Sequence, residues 1–440
     1  MTREMGATPA RVAALEVLVA VEARDAYAGL ALDAALDTMD IAGRDRAFAT
    51  ELVYGVLRWR ERLDWVLSRF MKRPIGSLDP RVRNALRIGL YQLMFLGNIP
   101  ARAAIHQSVE LVKLRGGKGR AGFVNAVLRA ALRGLPALRV PGEGGTPGEG
   151  GGPGKRETQD YRLSVYLSHP RWLVERWIRQ FGFEATKRLC EINNTPAPLS
   201  IRANTLKVTR EDLIRLLGEE GVSCSPSPIV PEGVRVETPL PISRLESFRQ
   251  GLFIVQDEAA MLVSHVVSPA PDSFVIDAAS APGGKATHLA SLMHDKGRVI
   301  AADIHPHRLR LVRENSERMG ITCIETVLCD ARELPVHFKN AASHVLIDAP
   351  CSATGVLRRR PDVKWRRRPE QIEELARLQS EIISAASECV APGGILVYST
   401  CSLEHEENED VVLGFLESHP QFTLLNARER LPAEFLSAFP

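Results

Sequence analysis

Phe274-Val-Ile-Asp-Ala-Ala-Ser-Ala-Pro-Gly-Gly-Lys285 is the stretch on which the reading of this 440-residue chain turns. Four residues of strand character run into a loop of small residues, and the loop runs directly into a helical pattern over Lys285–Met293. In an open α/β sheet such a joint lies at the carboxyl edge, where small residues let a ligand approach the backbone. The spacing is neither Gly-x-Gly-x-x-Gly nor a Walker loop, so phosphate binding is a poor fit and a different nucleotide-like cofactor is expected.

Downstream, apolar strands alternate with helices, the signature of a mostly parallel sheet. The strand candidates are 274–277, 298–303, 323–328, 344–348 and 395–400, with helices over Pro306–Met319 and Pro369–Val390 between them. Acids stand at or just past four successive strand ends: Asp277, Asp303, Asp330 and Asp348. A single such acid is ordinarily a helix cap or turn residue. Four in succession point to a ligand, with Asp303 suited to ribose hydroxyls and Asp330 to an adenine amino group.

The seven cysteines are scattered without a Cys-x-x-Cys pair, which argues for reduced thiols. Cys190, Cys323 and Cys389 read as inert buried thiols, whereas Cys351 and Cys401 follow adjacent strand ends and should share one rim. His305 and His307 flank Pro306 with no partnered ligand spacing, so no metal is expected.

Upstream, residues from Pro9 to about Gly134 follow helical periodicity, with Asp79-Pro80 as N-cap and first helical residue and Gly134 as C-cap. Residues 1–135 hold 21 Lys+Arg against 13 Asp+Glu, a charge of +8 that leaves −5 for the remainder of a +3 chain. A polyanion partner for this front end, or a helical domain with solvated basic faces, would account for it. A Gly/Pro-rich tether follows, then helices at 173–181, 186–192 and 212–217 around a short strand from Leu199. Four segments result: an all-α bundle (1–136), a linker (137–158), a small α+β domain (159–250) and an α/β domain (251–440). No stretch has the length or apolarity of a membrane span and the N-terminus lacks a secretory pattern, so a soluble cytoplasmic protein is expected.

Three motifs in order, Ala281-Pro-Gly-Gly-Lys285, Asp348-Ala-Pro-Cys-Ser352 and Ser399-Thr-Cys-Ser402, resemble the Nop/Sun RNA (cytosine-5) methyltransferases. Ile105-His-Gln-Ser-Val-Glu-Leu-Val112 and Gly122-Phe-Val-Asn-Ala-Val-Leu-Arg129 look like the NusB-type RNA-binding domain of the RsmB/Sun branch, which modifies small-subunit ribosomal RNA. Arg202-Ala-Asn-Thr-Leu-Lys207 and Gln256-Asp-Glu-Ala-Ala260 extend the likeness.

The resemblance implies a Rossmann-like class I methyltransferase domain using S-adenosylmethionine. It implies that Cys401 attacks carbon 6 of cytosine, that Asp348 bonds the N3 edge, that Cys351 takes part in release, and that Lys285 lies in the same region. Cofactor contacts are expected from Ala279, Ser280, Ala281, Pro282, Gly283, Gly284, Lys285, Asp303, Asp330 and Asp348. DNA cytosine methyltransferases use the Pro-Cys thiol instead, so exchanged roles for Cys351 and Cys401 stay open. The basic stretch Arg358–Arg368 around Trp365 suits phosphate contact and base stacking. The chain departs from the family at Ala279, often a cysteine, and lacks the closing Asp-Gly-Phe-Phe-type strand, so a sheet without its final strand is expected. A non-catalytic RNA-binding scaffold and a methyltransferase for another RNA, such as tRNA, are the competing readings.

Overall fold

A computed structural model describes residues 6–41, 43–142, 158–238, 242–432 and 435. Most of the tether, 143–157, lies outside them. The chain forms two compact units, one of residues 1–196 with 356–369, the other of residues 197–355 with 370–440.

The first unit is helical. Pro9–Arg24, Ala28–Thr38, Gly43–Arg58, Arg60–Ser68, Pro80–Phe95 and Ala101–Gly134 enclose a core in which Leu15, Leu52, Leu63, Leu86, Ile88 and Leu90 are fully buried. Asp79 caps its helix as its sequence indicates, accepting the Arg81 N–H with Pro80 at the first position. Gly134 differs from its expected role as a left-handed cap: it is the last helical residue, at φ −89°. A Cβ there would come within 2.4 Å of the Phe70 ring, so a larger residue would require Phe70 to move.

Helices Gln159–Tyr166, Arg171–Phe181 and Phe183–Asn193 belong to this unit, although the division at 159 read from the sequence groups them with the small sheet. The basic stretch also belongs here, and its aromatic residue is committed to packing. Trp365 Nε1 donates to the Leu57 carbonyl (2.7 Å), and its ring packs against the helical core with the Arg60 guanidinium 5.1 Å from its centroid. Lys364 is buried; it donates to Asn194 Oδ1 (2.7 Å) and the Ser168 carbonyl (3.3 Å), and burial lowers its pKa to about 7. Arg360 and Arg368 are exposed.

Some of the basic excess is internal. Glu22 faces Arg60, Arg83 and Arg87, and Arg87 also pairs with Asp64 at 2.6 Å. Burial would raise the Glu22 pKa, but the three guanidinium groups outweigh it and hold the carboxyl below its ordinary range.

The second unit holds two sheets. Strands β1 (Leu199–Ala203), β2 (Cys224–Pro226), β3 (Gly233–Val236) and β4 (Phe253–Val255) pair antiparallel in the order β2-β3-β1-β4. Strands β5 (Phe274–Asp277), β6 (Arg298–Asp303), β7 (Ile324–Leu328), β8 (Ala342–Asp348) and β9 (Val390–Ser399) pair parallel in the order β7-β6-β5-β8-β9. Both faces of the parallel sheet are covered, which is why its inner strands are apolar without alternation. Ile276, Ile300, Val345 and Ile347 pack with Ile382, Ile383 and Phe415, whereas Val275, Val299 and Leu346 pack with Leu289, Leu309 and Val312 on the other face. Among the described residues no strand lies beyond β9.

Replacing Glu22 with alanine leaves Arg87 buried with half of its counter-charge, and a loss of about 3 kcal/mol is expected for removing one partner from such a cluster. Urea denaturation followed by circular dichroism checks it; a loss below about 1 kcal/mol would mean the pairs behave like exposed ones.

Candidate active site

Strand order turns the carboxyl ends of the parallel sheet into a row. Across the rim it reads Asp330, Asp303, Asp277, Asp348 with Cys351 beyond it, and Cys401. The chain builds β6 and β7 to one side of β5, then β8 and β9 to the other, so the rim contains a topological switch point, where open α/β sheets bind ligands.

The glycine loop is held through its own backbone. Ser280 N–H donates to the Ala302 carbonyl (2.8 Å), while the carbonyls of Ala281, Pro282 and Gly284 accept from Arg308 (2.8 Å), Asn315 (3.1 Å) and Arg202 (2.8 Å). Gly283 sits at φ +96°, and a Cβ there would lie 3.2 Å from Val312 Cα; backbone and space both call for glycine. Arg202 is fully buried and also bonds Gln256 Oε1 (2.8 Å) and Thr287 Oγ1 (2.9 Å), and burial lowers its pKa to about 9. Its anchoring role has no signature in a local pattern, because it reaches the loop from β1.

The four acids differ in what they do. Asp330 caps the short turn that follows it and takes three bonds from Arg332. Asp303 is buried and accepts the His305 N–H (2.9 Å), with Arg308 3.4 Å from its other oxygen. Asp348 accepts from Lys285 Nζ (2.7 Å) and from the Ser399 hydroxyl (3.1 Å), which brings two members of the expected catalytic set together.

Asp277 is fully buried, and none of its oxygens has a hydrogen bond among the described residues, nor has the neighbouring Ser280 hydroxyl. Burial pushes its pKa up to about 7; Lys285 opposes the rise, the Asp348 charge adds to it, and the Ser280 hydroxyl and the Ala279 backbone pull slightly the other way. Asp277 is absent from the set of cofactor residues expected from the sequence. Two orphaned polar groups beneath a loop without large side chains, with Asp303 beside them, suit a ligand that carries positive charge and hydroxyl donors. A sulfonium nucleoside has that chemistry and a phosphate does not.

Cys351 and Cys401 meet at the other end of the rim. Their sulfurs are 3.2 Å apart without a disulfide, and the Cys401 N–H also points at the Cys351 sulfur (3.4 Å). Cys401 is exposed and Cys351 half-buried. The hydrogen bond with Cys401, burial and the charge of Cys401 raise the Cys351 pKa well above the ordinary thiol range. Cys190 and Cys389 are buried and pushed up to about 12; Cys323 is half-buried rather than buried, and burial together with Asp295 also pushes it up to about 12.

Away from the rim, Glu232 Oε1 lies 2.9 Å from His265 Nε2 and 2.8 Å from His288 Nε2. Arg202 acts electrostatically on both Glu232 and His288. The carboxylate therefore has a buried counter-charge within the protein. His305 and His307 are exposed, with ring centroids 5.4 Å apart.

Comparison with known proteins matches three regions of the chain. Residues 264–434 match the family described as 16S rRNA methyltransferase RsmB/F, residues 8–133 the NusB family, and residues 169–243 a ferredoxin-like domain of RsmF/B-like methyltransferases. A protein of Bacillus subtilis named probable ribosomal RNA small subunit methyltransferase B is 37% identical over 97% of this chain and 93% of its own length. The ribosomal RNA small subunit methyltransferase B of Pseudomonas syringae is 35% identical over 92% and 86%. Among solved structures, PH0851 is similar over 95% of this chain and 91% of its own, with 29% identity and a TM-score of 0.80. NSun6 from Pyrococcus horikoshii, solved with SFG, is similar over 57% of this chain and 87% of its own, with 30% identity and a TM-score of 0.53.

A cationic ligand in this crevice favours the ionised form of Asp277, so below pH 7 its binding must expel a proton. Affinity for S-adenosylmethionine is expected to rise with pH up to about 7 and then level off, about tenfold weaker at pH 6 than at pH 8. Titration calorimetry across that range checks it. A profile that is flat in the native protein, or as steep in Asp277→Asn, would exclude the carboxyl as the group responsible.

Proposed function

Because this chain belongs to the RsmB/F family of 16S rRNA methyltransferases, we propose that it transfers a methyl group from S-adenosylmethionine to carbon 5 of a cytosine in small-subunit ribosomal RNA, with Cys401 as nucleophile. The observation that carries the chemistry is the pair of sulfurs 3.2 Å apart on a rim that also holds the Lys285–Asp348 pair. Support for the cofactor comes from the orphaned Asp277 carboxyl and from SFG, an S-adenosylmethionine analogue, in the NSun6 relative. A ribosomal RNA partner accords with the names of the relatives, with the NusB-type region and with the basic front of the sequence.

Carbon 5 of cytosine is a weak nucleophile until a group adds at carbon 6. A thiolate does this well. Two thiols this close do not both ionise readily, and with Cys401 the exposed one of the pair, the Cys351 S–H is placed to donate to a thiolate on Cys401. Addition of that thiolate puts negative charge on the ring, most of it toward N3. The proton shared by Lys285 and Asp348 is the group available to meet it.

When bound, the cofactor supplies an electrophilic methyl group to the activated carbon 5. Asp277, Asp303 and the loop 279–284 would hold it. The carbon 5 proton then passes to water and the electron pair of that C–H bond expels Cys401 from carbon 6 as a thiolate, which the Cys351 S–H is placed to stabilise. The target base has to be unpaired or turned out of its stack to expose carbon 6.

In Cys401→Ala, incubation with cofactor and substrate RNA is expected to yield neither methyl transfer nor a protein–RNA adduct that survives denaturation. Cys351→Ala should form the adduct and retain it. The reverse pattern exchanges the two roles, and RNA binding without transfer of label from the native protein would make the chain a scaffold.

A further inference from the structure

Two loops from different strands have to meet for the sulfurs to lie together, and neither loop is long enough to bury a core of its own. Cys351 follows β8 and Cys401 follows β9. A carboxylate from a third element sits between their neighbours. Glu407, fully buried in the short turn His405–Glu407, accepts the Ser352 N–H at Oε1 (2.7 Å) and the Ser352 hydroxyl at Oε2. Oε2 also accepts the Ser402 hydroxyl, and Oε1 the side-chain amide of Gln379 (3.0 Å).

Ser352 and Ser402 are the residues directly after the two thiols. Four donor hydrogens therefore meet the roughly four lone-pair positions of one carboxylate, which has no donor of its own. The Gln379 amide also reaches the Pro350 carbonyl (2.8 Å), tying the start of the Cys351 loop to the same carboxylate, and Tyr398 OH fixes the Glu407 carbonyl (2.7 Å). Across the same seam the Gly355 N–H donates to the Cys401 carbonyl (2.9 Å) and the Leu403 N–H to Thr354 Oγ1 (2.9 Å).

We infer that Glu407, with Gln379 behind it, is a positioning residue that clamps the Cys351 and Cys401 loops together and so sets the separation of the two thiols. The inference rests on the reading of both thiols as reacting groups. Glu407 touches neither sulfur. It acts through the backbone and hydroxyl of the residue beside each, in a buried site where bonds to a charged acceptor are at their strongest.

Two readouts separate positioning from general support of the fold. The first is turnover: in Glu407→Ala, kcat is expected to fall about a hundredfold with KM for RNA within about twofold of native, since a misplacement of about an ångström costs that much in a two-group site. The second is made on the protein alone. Diamide takes one hydrogen from each thiol, forming the Cys351–Cys401 disulfide and the reduced hydrazine, and that rate depends on how often the sulfurs meet. It should fall about tenfold or more in Glu407→Ala, because a disulfide demands close and specific geometry. Glu407→Gln keeps one oxygen for the Ser352 N–H and Gln379, and should regain part of both rates.

A folded Glu407→Ala with native disulfide and turnover rates overturns the clamp, as does a loss of kcat with an unchanged disulfide rate. Should the alanine variant not fold, Glu407→Gln and Ser402→Ala are judged by the same two rates. If the native protein transfers no methyl to RNA, it is the functional reading that fails, and the disulfide rates still decide the clamp.

Discussion

Parallel pairing of β8 with β9, in the register that sets Asp348 opposite Ser399, is the constraint on which the candidate site depends. Each strand delivers a thiol a few residues past its last paired position, and a shift of one residue would send alternate side chains to opposite faces. With the register fixed, the Ser399 hydroxyl reaches Asp348, Lys285 reaches it from the first turn of the helix Gly284–Leu292, and the two cysteines come within 3.2 Å. Strand pairing is thus what brings two separate sequence motifs together as one cluster of two thiols beside a lysine–aspartate pair.

Both units bury charge, and in each the charge is met by a named partner or left poised for one. Glu22 gathers three arginines inside the helical unit, and Glu407 gathers four donors beside the thiols. Asp277 is the exception, a buried carboxyl whose oxygens make no bond to the described residues. Unpaired buried acids cost several kcal/mol when ionised, and the group responds by holding its proton. That response makes it sensitive to any cation placed over the glycine loop.

A segment joining the two thiol motifs in the chain is anchored in the helical unit. Lys364, Trp365 and Arg366 are held there by Asn194, Leu57 and Asp25. In composition this stretch is a run of solvated charge, and composition cannot distinguish an arginine that faces water from a lysine folded against carbonyl groups. Helix-forming segments 159–193 present a similar ambiguity, since amphipathic periodicity says that a face is buried but not which unit covers it.

Local chemistry fixed what the amino-acid sequence could determine alone. Apolar runs specified the parallel strands, Asp79-Pro80 a helix start, and the motifs around Gly283, Cys351 and Cys401 carried the family resemblance. Those features depend on residues adjacent in the chain, where period and side-chain type carry the information. Tertiary structure alone decided the placement of Asp277 without a partner, the reach of Arg202 from a separate sheet to the glycine loop, the packing of Phe70 against Gly134, and the convergence of Ser352, Gln379, Ser402 and Glu407. Each of these is a contact between residues distant in sequence, set by packing and hydrogen-bond geometry, and no local periodicity records it.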